Sequence, residues 1–350
     1  GDCNPTNMTW EIKNSSATVA SGLMSGSPFS VYFSGNSIST PGTYTLTLSA
    51  TCGTQRCSCV VRLVVQCPDP PLVTDSLCGR AVVTCFSGID GTSGNYRVQN
   101  PNGYVLAIID TRNWASAPIN NWTTVAANIY HHNSWIASNL GEIFGITLDE
   151  NKNIYATAST VYGSHAWGPG GSGGVYKINP SNGVINNLVT TGPYVAGTAK
   201  IPNDGAGLGN ICYNPVHKQL YVTNFYDGMI YRVDPVTGNV LSRFDPLIPA
   251  GAPSGTPAFA PLGERPWGIG YNKVENSLYF GLWKESLVAG NGMVNEIYKV
   301  DLDGTGNFTG VATLEKSVTE YAGTNDFSAP ISDLTFSDDC SKMLIGQRSM

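Results

Sequence analysis

The sequence predicts an all-β protein in two parts, a small β-sandwich followed by the blades of a β-propeller. Three observations carry this. Helix signals are nearly absent: the chain holds 40 Gly and 21 Pro, and its apolar residues show no sustained period of 3.6. Short alternating apolar and polar runs recur instead, bounded by Gly, Asn, Asp and Pro. From about residue 140 onward these runs repeat one another at nearly constant intervals.

Residues 1–68 form the first unit. Tyr44, Leu46, Leu48 and Ala50 alternate with Thr45, Thr47 and Ser49, so one face is apolar and the other hydroxylated. Val61, Leu63 and Val65 repeat the pattern after the turn Gly53-Thr54-Gln55-Arg56. Continuing each alternation puts Cys52 on the inner face of the first strand, and Cys59 and Cys67 on that of the second. Five of the nine cysteines (Cys3, Cys52, Cys57, Cys59 and Cys67) fall in this unit. The pair Cys57-Ser58-Cys59 lacks the second pair and the nearby His of a zinc knuckle. Disulfides are therefore the expected use, and they imply an oxidising compartment. In so small a core each would contribute about 2–4 kcal/mol. The odd total leaves at least one thiol unpaired, and spacing leaves the connectivity open. Pro41-Gly42-Thr43-Tyr44 at the head of a strand resembles the penultimate strand of immunoglobulin-like and polycystic-kidney-disease-type (PKD-like) modules, which implies an Ig-like sandwich. Cys67-Pro68-Asp69-Pro70-Pro71 leads into a stiff linker over residues 69–75.

Residues 76–350 carry the repeats. Phe144–Leu148 is followed by Asn153–Thr157, Asn210–Tyr213 by Gln219–Asn224, and Trp267–Tyr271 by Ser277–Gly281. Ser332–Phe336 is followed by Lys342–Gly346. Gly145, Asn210, Gly268 and Asp333 are equivalent points, separated by 65, 58 and 65 residues. A weaker copy begins near Arg80–Val83 and continues through Gly103–Ile109. Each unit reads as a propeller blade enlarged by long loops. The last unit stops after its second strand, so an incomplete propeller is expected. The open edge of Met343 to Ile345 would then be covered by downstream domains of the same protein or by other copies of the chain.

Leu220-Tyr221-Val222-Thr223-Asn224, with Gly228 and Ile230–Gly238 after it, resembles the YVTN-type β-propeller repeat. Leu208–Ile211, Trp267–Tyr271 and Ile331–Ser337 are similar to propellers in large surface and gliding-motility-associated proteins of Bacteroidota. That second resemblance covers roughly residues 140–350. It implies a secreted, cell-surface location and export by type nine secretion.

Composition narrows the function. Only 13% of residues are charged, about half the usual share. The net charge is −6 and the basic residues form no cluster, which argues against a nucleic-acid partner. No apolar run approaches the roughly 20 residues of a membrane span. The chain opens Gly1-Asp2-Cys3 with no apolar leader, so it reads as a mature piece whose export signal has been removed.

In a propeller, the loops entering the inner strands and those following the second strands gather on one face. Here they are aromatic. Tyr162, His165, Trp167, Tyr226, Asp227, Arg265, Trp267 and Trp283 are the candidate ligand-binding residues, with Phe225, Glu264, Lys284 and Arg348 beside them. Flat rings suit sugar C–H groups or peptide side chains, and Asp and Arg fix orientation. Asp301, Asp303 and Asn307 resemble the start of a calcium loop, but the closing bidentate acid of an EF-hand is missing. Calcium is the one cofactor the sequence suggests. His131, His132 and His165 lack a carboxylate spaced as a fourth ligand. Gly168–Gly174 reads as a flexible hairpin, since no GK[ST] ending follows. Nucleophile elbow, zinc-hydrolase helix and dinucleotide fingerprint are all missing.

The leading expectation is a non-catalytic extracellular adhesion or structural module whose propeller face binds a glycan or a cell-surface protein. The alternatives are a propeller enzyme, either a polysaccharide lyase or glycosidase or a quinone-dependent dehydrogenase, and an architectural subunit of an extracellular assembly.

Overall fold

The structure, a computed structural model, describes residues 6–14, 17–23, 42–52, 55–65, 79–93, 96–110, 129–161, 166–246, 251–284, 295–318 and 330–348. The chain forms two compact units, Gly1–Leu72 and Val73–Met350. Apart from one four-residue helix, Ala137–Leu140, the described elements are strands.

In the first unit the described residues form one antiparallel sheet. Its order is Thr18–Leu23, Thr6–Lys13, Gly42–Cys52, Gln55–Val65. Cys52 pairs with Gln55 across a two-residue connection, and Tyr44 pairs with Leu63. Ile12 and Tyr44 are buried. Cys59 departs from the expected staple, because its thiol is free and exposed. It lies opposite Leu48, between exposed Ser58 and Val60. Cys3, Cys67 and the side chains of Cys52 and Cys57 lie outside the described residues.

The second unit is built of propeller blades, five among the described residues. Blade 1 comprises Arg80–Thr84, Leu106–Asp110 and Ile129–Tyr130. Blade 2 comprises Ile143–Leu148, Ile154–Ala158, Val175–Ile178 and Ile185–Thr191, with Lys200–Ile201 added in parallel. Blade 3 comprises Leu208–Asn214, Gln219–Asn224, Ile230–Val233 and Val240–Phe244. Blade 4 comprises Arg265–Asn272, Ser277–Trp283, Asn295–Leu302 and Phe308–Val318. Blade 5 comprises Ile331–Phe336 and Met343–Gln347. The inner strands of blades 2 to 5 pack each on the next in sequence order.

The four equivalent points mark one structural feature. The ladder between inner and second strand slips between Ile143 and Ile146, Leu208 and Ile211, Pro266 and Ile269, and Ile331 and Asp333. Gly145, Asn210, Gly268 and Asp333 all sit in these bulges, where inner strands come closest. A Cβ on Gly145 would lie 2.7 Å from Asn210 Cα, and one on Gly268 would lie 2.7 Å from Asp333 N. Only glycine permits that approach. Asn210 crosses to blade 5, donating from Nδ2 to Ser332 O and Asp333 Oδ1, both at 2.9 Å.

Between blades lie apolar layers. The layer between blades 2 and 3 includes Tyr155, Leu208, Ile211 and Val222. Tyr221 and Ile269 lie in the next layer, and Tyr279 and Leu334 in the one after. Gly168–Gly174, expected to be a flexible hairpin, is a packed one. A Cβ on Gly168 would lie 2.5 Å from Leu140 C and 2.6 Å from Tyr176 Oη, so the glycines answer crowding.

Candidate functional site

Strand pairing defines two ends of the propeller. Ile143 pairs with Ala158, Leu208 with Asn224, Arg265 with Trp283, and Ile331 with Gln347. The long loops meet at this end, the loop face. At the other end Leu148 pairs with Ile154, Asn214 with Gln219, Asn272 with Ser277, and Phe336 with Met343, each across a short turn. This is the turn face.

An aromatic nest stands on the loop face. Trp267, carried by the inner strand of blade 4, is fully buried, and Phe225 beside it is 1% exposed. Their centroids are 5.3 Å apart, edge to face. Phe144 meets Trp267 edge-on at 5.6 Å, and Trp283 lies 5.1 Å from it. Tyr226, Phe259 and Trp283 are half-buried around this floor. The Arg265 guanidinium lies 4.8 Å above the Phe259 ring and 5.2 Å above Trp283, while its Nε donates to Ala260 O. Arg348, at the end of blade 5, stands 6.0 Å over Phe144 and donates from Nη2 to Val161 O at 2.5 Å. Two cationic planes are thus held against rings, an arrangement that fixes both. The indole Nε1 groups of Trp267 and Trp283 are buried with no acceptor among the described residues.

The structure brings Tyr226, Arg265, Trp267 and Trp283 into one nest. Trp267 forms its floor and offers no free ring face. Asp227 turns away into blade 3, where Tyr231 Oη donates to its Oδ2 and Met229 N to its Oδ1. Burial pushes the Asp227 carboxyl up to about 6, against those hydrogen bonds and the Arg243 charge. Trp167 bridges to Gly141 and packs with the layer between blades 1 and 2, apart from the nest. Tyr162 and His165 lie outside the described residues. The sequence reading missed Phe144 and Phe259, which no spacing singled out.

A cavity of about 290 Å³ opens from the axis toward the turn face. Its walls include Thr147, Cys212, Tyr271, Asp333 and Asp338. One oxygen of Asp333 accepts from Asn210 Nδ2 and from Leu334 N, each at 2.9 Å. Burial raises the Asp333 pKa, and those two donors oppose the shift. Burial likewise raises the Cys212 thiol, with the Asp333 charge adding to it. Asp333 did leave a signal in the sequence, as a carboxylate where two of the other three blades have glycine.

The calcium candidates do not converge. Asp303 Oδ1 accepts from Thr305 N and Asn307 N, capping its own turn. Asp301 Oδ1 accepts from Ser277 Oγ, and Asn307 Oδ1 from Ser242 Oγ. Asp234 caps the equivalent turn of blade 3 through Val236 N and Thr237 N. Of the histidines, His131 stacks on Tyr104 and pairs with Leu106 O, and His132 pairs with Ser134 Oγ. Among the described residues, no group of three His, Cys, Asp or Glu side chains is placed to hold a metal.

No protein-family model and no curated protein matches the sequence. Several solved structures are similar at low identity. A glucose dehydrogenase is 10% identical over 89% of this chain and 91% of its own, with a TM-score of 0.40. A second glucose dehydrogenase is 10% identical over 88% of this chain and 75% of its own, with a TM-score of 0.33. An auxiliary nutrient binding protein from Bacteroides thetaiotaomicron is 11% identical over 87% and 81%, with a TM-score of 0.35. Similarity at this level carries no inference about activity.

Proposed function

We propose that the Val73–Met350 unit is an extracellular binding module that takes a glycan or protein ligand at its loop face without transforming it. The observation that supports this reading is the nest itself. Half-buried Tyr226, Phe259 and Trp283 rest on the rigid floor of Phe225 and Trp267, with the Arg265 plane stacked among them. Pre-positioned rings lose little freedom when a sugar or a peptide side chain settles on them. A cell-surface setting, implied by the resemblance to Bacteroidota surface proteins, belongs to the same reading.

The test is calorimetry of the full chain against a panel of neutral and acidic polysaccharides and surface-protein extracts. For any ligand that binds, the double substitution Tyr226→Ala, Trp283→Ala should weaken affinity by about tenfold or more, the scale of losing an interfacial aromatic anchor. Unchanged affinity in a folded double variant would remove the nest from the site.

A second reading, a propeller hydrolase or lyase acting on polysaccharide, draws on the axial cavity, where two acids, Asp333 and Asp338, line one space. Paired carboxylates are the tools of glycoside cleavage. Release of reducing ends by the wild type, lost in Asp333→Asn, would favour it over the binding module.

A further inference from the structure

A groove of about 420 Å³ opens between blades 1 and 2 and shares no residue with the nest or the axial cavity. That volume lies within the range of small-ligand sites. One wall includes His132 and Asn139, from the segment that follows the last strand of blade 1. The other includes Asn182, Val184, Ile185 and Asn187, from the outer strand of blade 2 and the turn before it. His132 is locked in place. Gly183 lies so close to its imidazole that a Cβ there would fall 2.1 Å from both Cε1 and Nδ1, and the φ of Gly183 is 69°. Glycine alone permits that contact with that backbone angle. Ser134 Oγ donates to Gly183 O at 2.8 Å, which commits the hydroxyl hydrogen. The 2.7 Å contact between His132 Nδ1 and Ser134 Oγ therefore takes its hydrogen from the ring, while the Ser134 amide lies farther off at 3.2 Å. With the proton on Nδ1, Nε2 carries a lone pair, and it has no partner among the described residues.

The asparagine amides are oriented by their own contacts. Asn139 Nδ2 donates to Ser134 O at 2.9 Å, which leaves its Oδ1 as an acceptor. Asn182 Oδ1 accepts from Val184 N at 3.1 Å, which leaves its Nδ2 as a donor. Asn187 is exposed on the outer strand, and Val184, 49% exposed, lies with half-buried Ile185 as an apolar strip between the amides. The described lining residues include no Lys, Arg, Asp or Glu, so an ionised ligand would meet no counter-charge. Fixed donors and acceptors without formal charge suit groups that both give and take a hydrogen bond, as a sugar hydroxyl does. The apolar strip suits the C–H face of a sugar ring. We propose that this groove is a ligand site for a neutral saccharide unit, held by His132 Nε2 and the amides of Asn139, Asn182 and Asn187. Because the groove and the nest share no residue, this site does not depend on the loop-face reading.

The chain holds four His, so imidazole NMR signals of the full chain can be assigned singly, that of His132 by its loss in His132→Gln. The probes are a set of methyl hexosides, glucuronate and a blocked alanine dipeptide, each at millimolar concentration. The expected result is that at least one methyl hexoside moves the His132 ring signals and leaves those of His217 in place. The double substitution Asn182→Ala, Asn187→Ala should weaken that response about tenfold or more, the scale of two lost hydrogen bonds. Both residues are exposed, so the variant should fold, which a thermal melt verifies. Tyr226→Ala, Trp283→Ala should leave the His132 response unchanged, which separates failure of the nest from failure of the groove. His132 signals unmoved by every hexoside, an undiminished response in the folded asparagine variant, or a larger response to glucuronate or the dipeptide would each overturn the proposal.

Discussion

The two ends of the propeller are made of opposite materials. On the turn face the connections are short and close on themselves through their own polar side chains. Asp149 accepts from Asn153 N, Asn214 from Val216 N and His217 N, and Asn272 from Val274 N and Glu275 N. Such turns satisfy their backbone locally and can be repeated blade after blade. On the loop face the connections differ between blades, and the described residues there bury aromatic rings against arginine planes. Local hydrogen bonding shapes one end, and long-range packing shapes the other. Binding residues concentrate on loops held by a rigid scaffold, which is why the loop face is the better place to look for a ligand.

The sharpest test of that contrast is to remove one side chain from each end. Trp267→Ala should lower stability by about 3–5 kcal/mol, the usual cost of truncating a wholly buried Trp. Thr335→Ala, an exposed residue at the turn-face cavity, should stay within about 0.5 kcal/mol of wild type. Denaturant titration of both variants measures the difference. Comparable losses would mean that the loop face does not depend on its aromatic floor.

The same contrast explains what could be read from the sequence. The blades were legible because their signals are local: alternation, Asn and Asp at the turns, and a repeated point that proves to be a bulge at Gly145, Asn210, Gly268 and Asp333. The arrangement of the nest was not legible. Nothing in the order of residues says that Phe144, Phe225, Phe259 and Trp283 meet around Trp267, since they come from three blades and a long connection. Nor does composition separate a glycine run that bends freely from one that is crowded, and Gly168–Gly174 is crowded. Cys59 shows a third limit, because alternation assigned it a covered position and its thiol is exposed.

A second way to separate the ends is pH. At the loop end, burial raises Asp227 to about 6, above the roughly 3.9 of an unfolded aspartate. Its contribution is therefore full below about pH 4 and is lost as pH rises through 6. At the turn end the signs reverse. Hydrogen bonds from the Thr305 hydroxyl and from the Asn307 and Thr305 amides lower Asp303, and Ser337 and Ser341 lower Asp339 to about 2. Those groups favour folding above the unfolded pKa and cease to do so as pH falls. Asp227→Asn should flatten the decline of stability between pH 4 and 6, and leave the acid limb below pH 4 in place. A wild-type curve with the same slope as the variant between pH 4 and 6 would refute the raised Asp227.

The smallest effect concerns the turns that carry the calcium-like spacing. Asp234 and Asp303 occupy equivalent positions in blades 3 and 4, and each accepts two backbone amides from its own turn. In both turns the aspartate carbonyl also accepts from a glycine amide, Gly238 or Gly306. Each turn in turn receives a tyrosine from the preceding blade. Tyr155 Oη donates to Pro235 O at 3.4 Å, and Tyr221 Oη donates to Gly306 O at 2.6 Å. The carboxylates therefore act as caps that hold a carbonyl in place for the neighbouring blade. Asp234→Ala should cost about 1 kcal/mol, the scale of lost hydrogen bonds to a turn amide. Asp303→Ala should shift Tm in the same direction. Because blade 3 has no calcium-like spacing, the two variants should respond alike when calcium is added or chelated. A wild-type Tm that rises with calcium, with the rise abolished by Asp303→Ala and kept in Asp234→Ala, would instead make residues 301–307 a cation site and separate two turns that the hydrogen bonding makes equivalent.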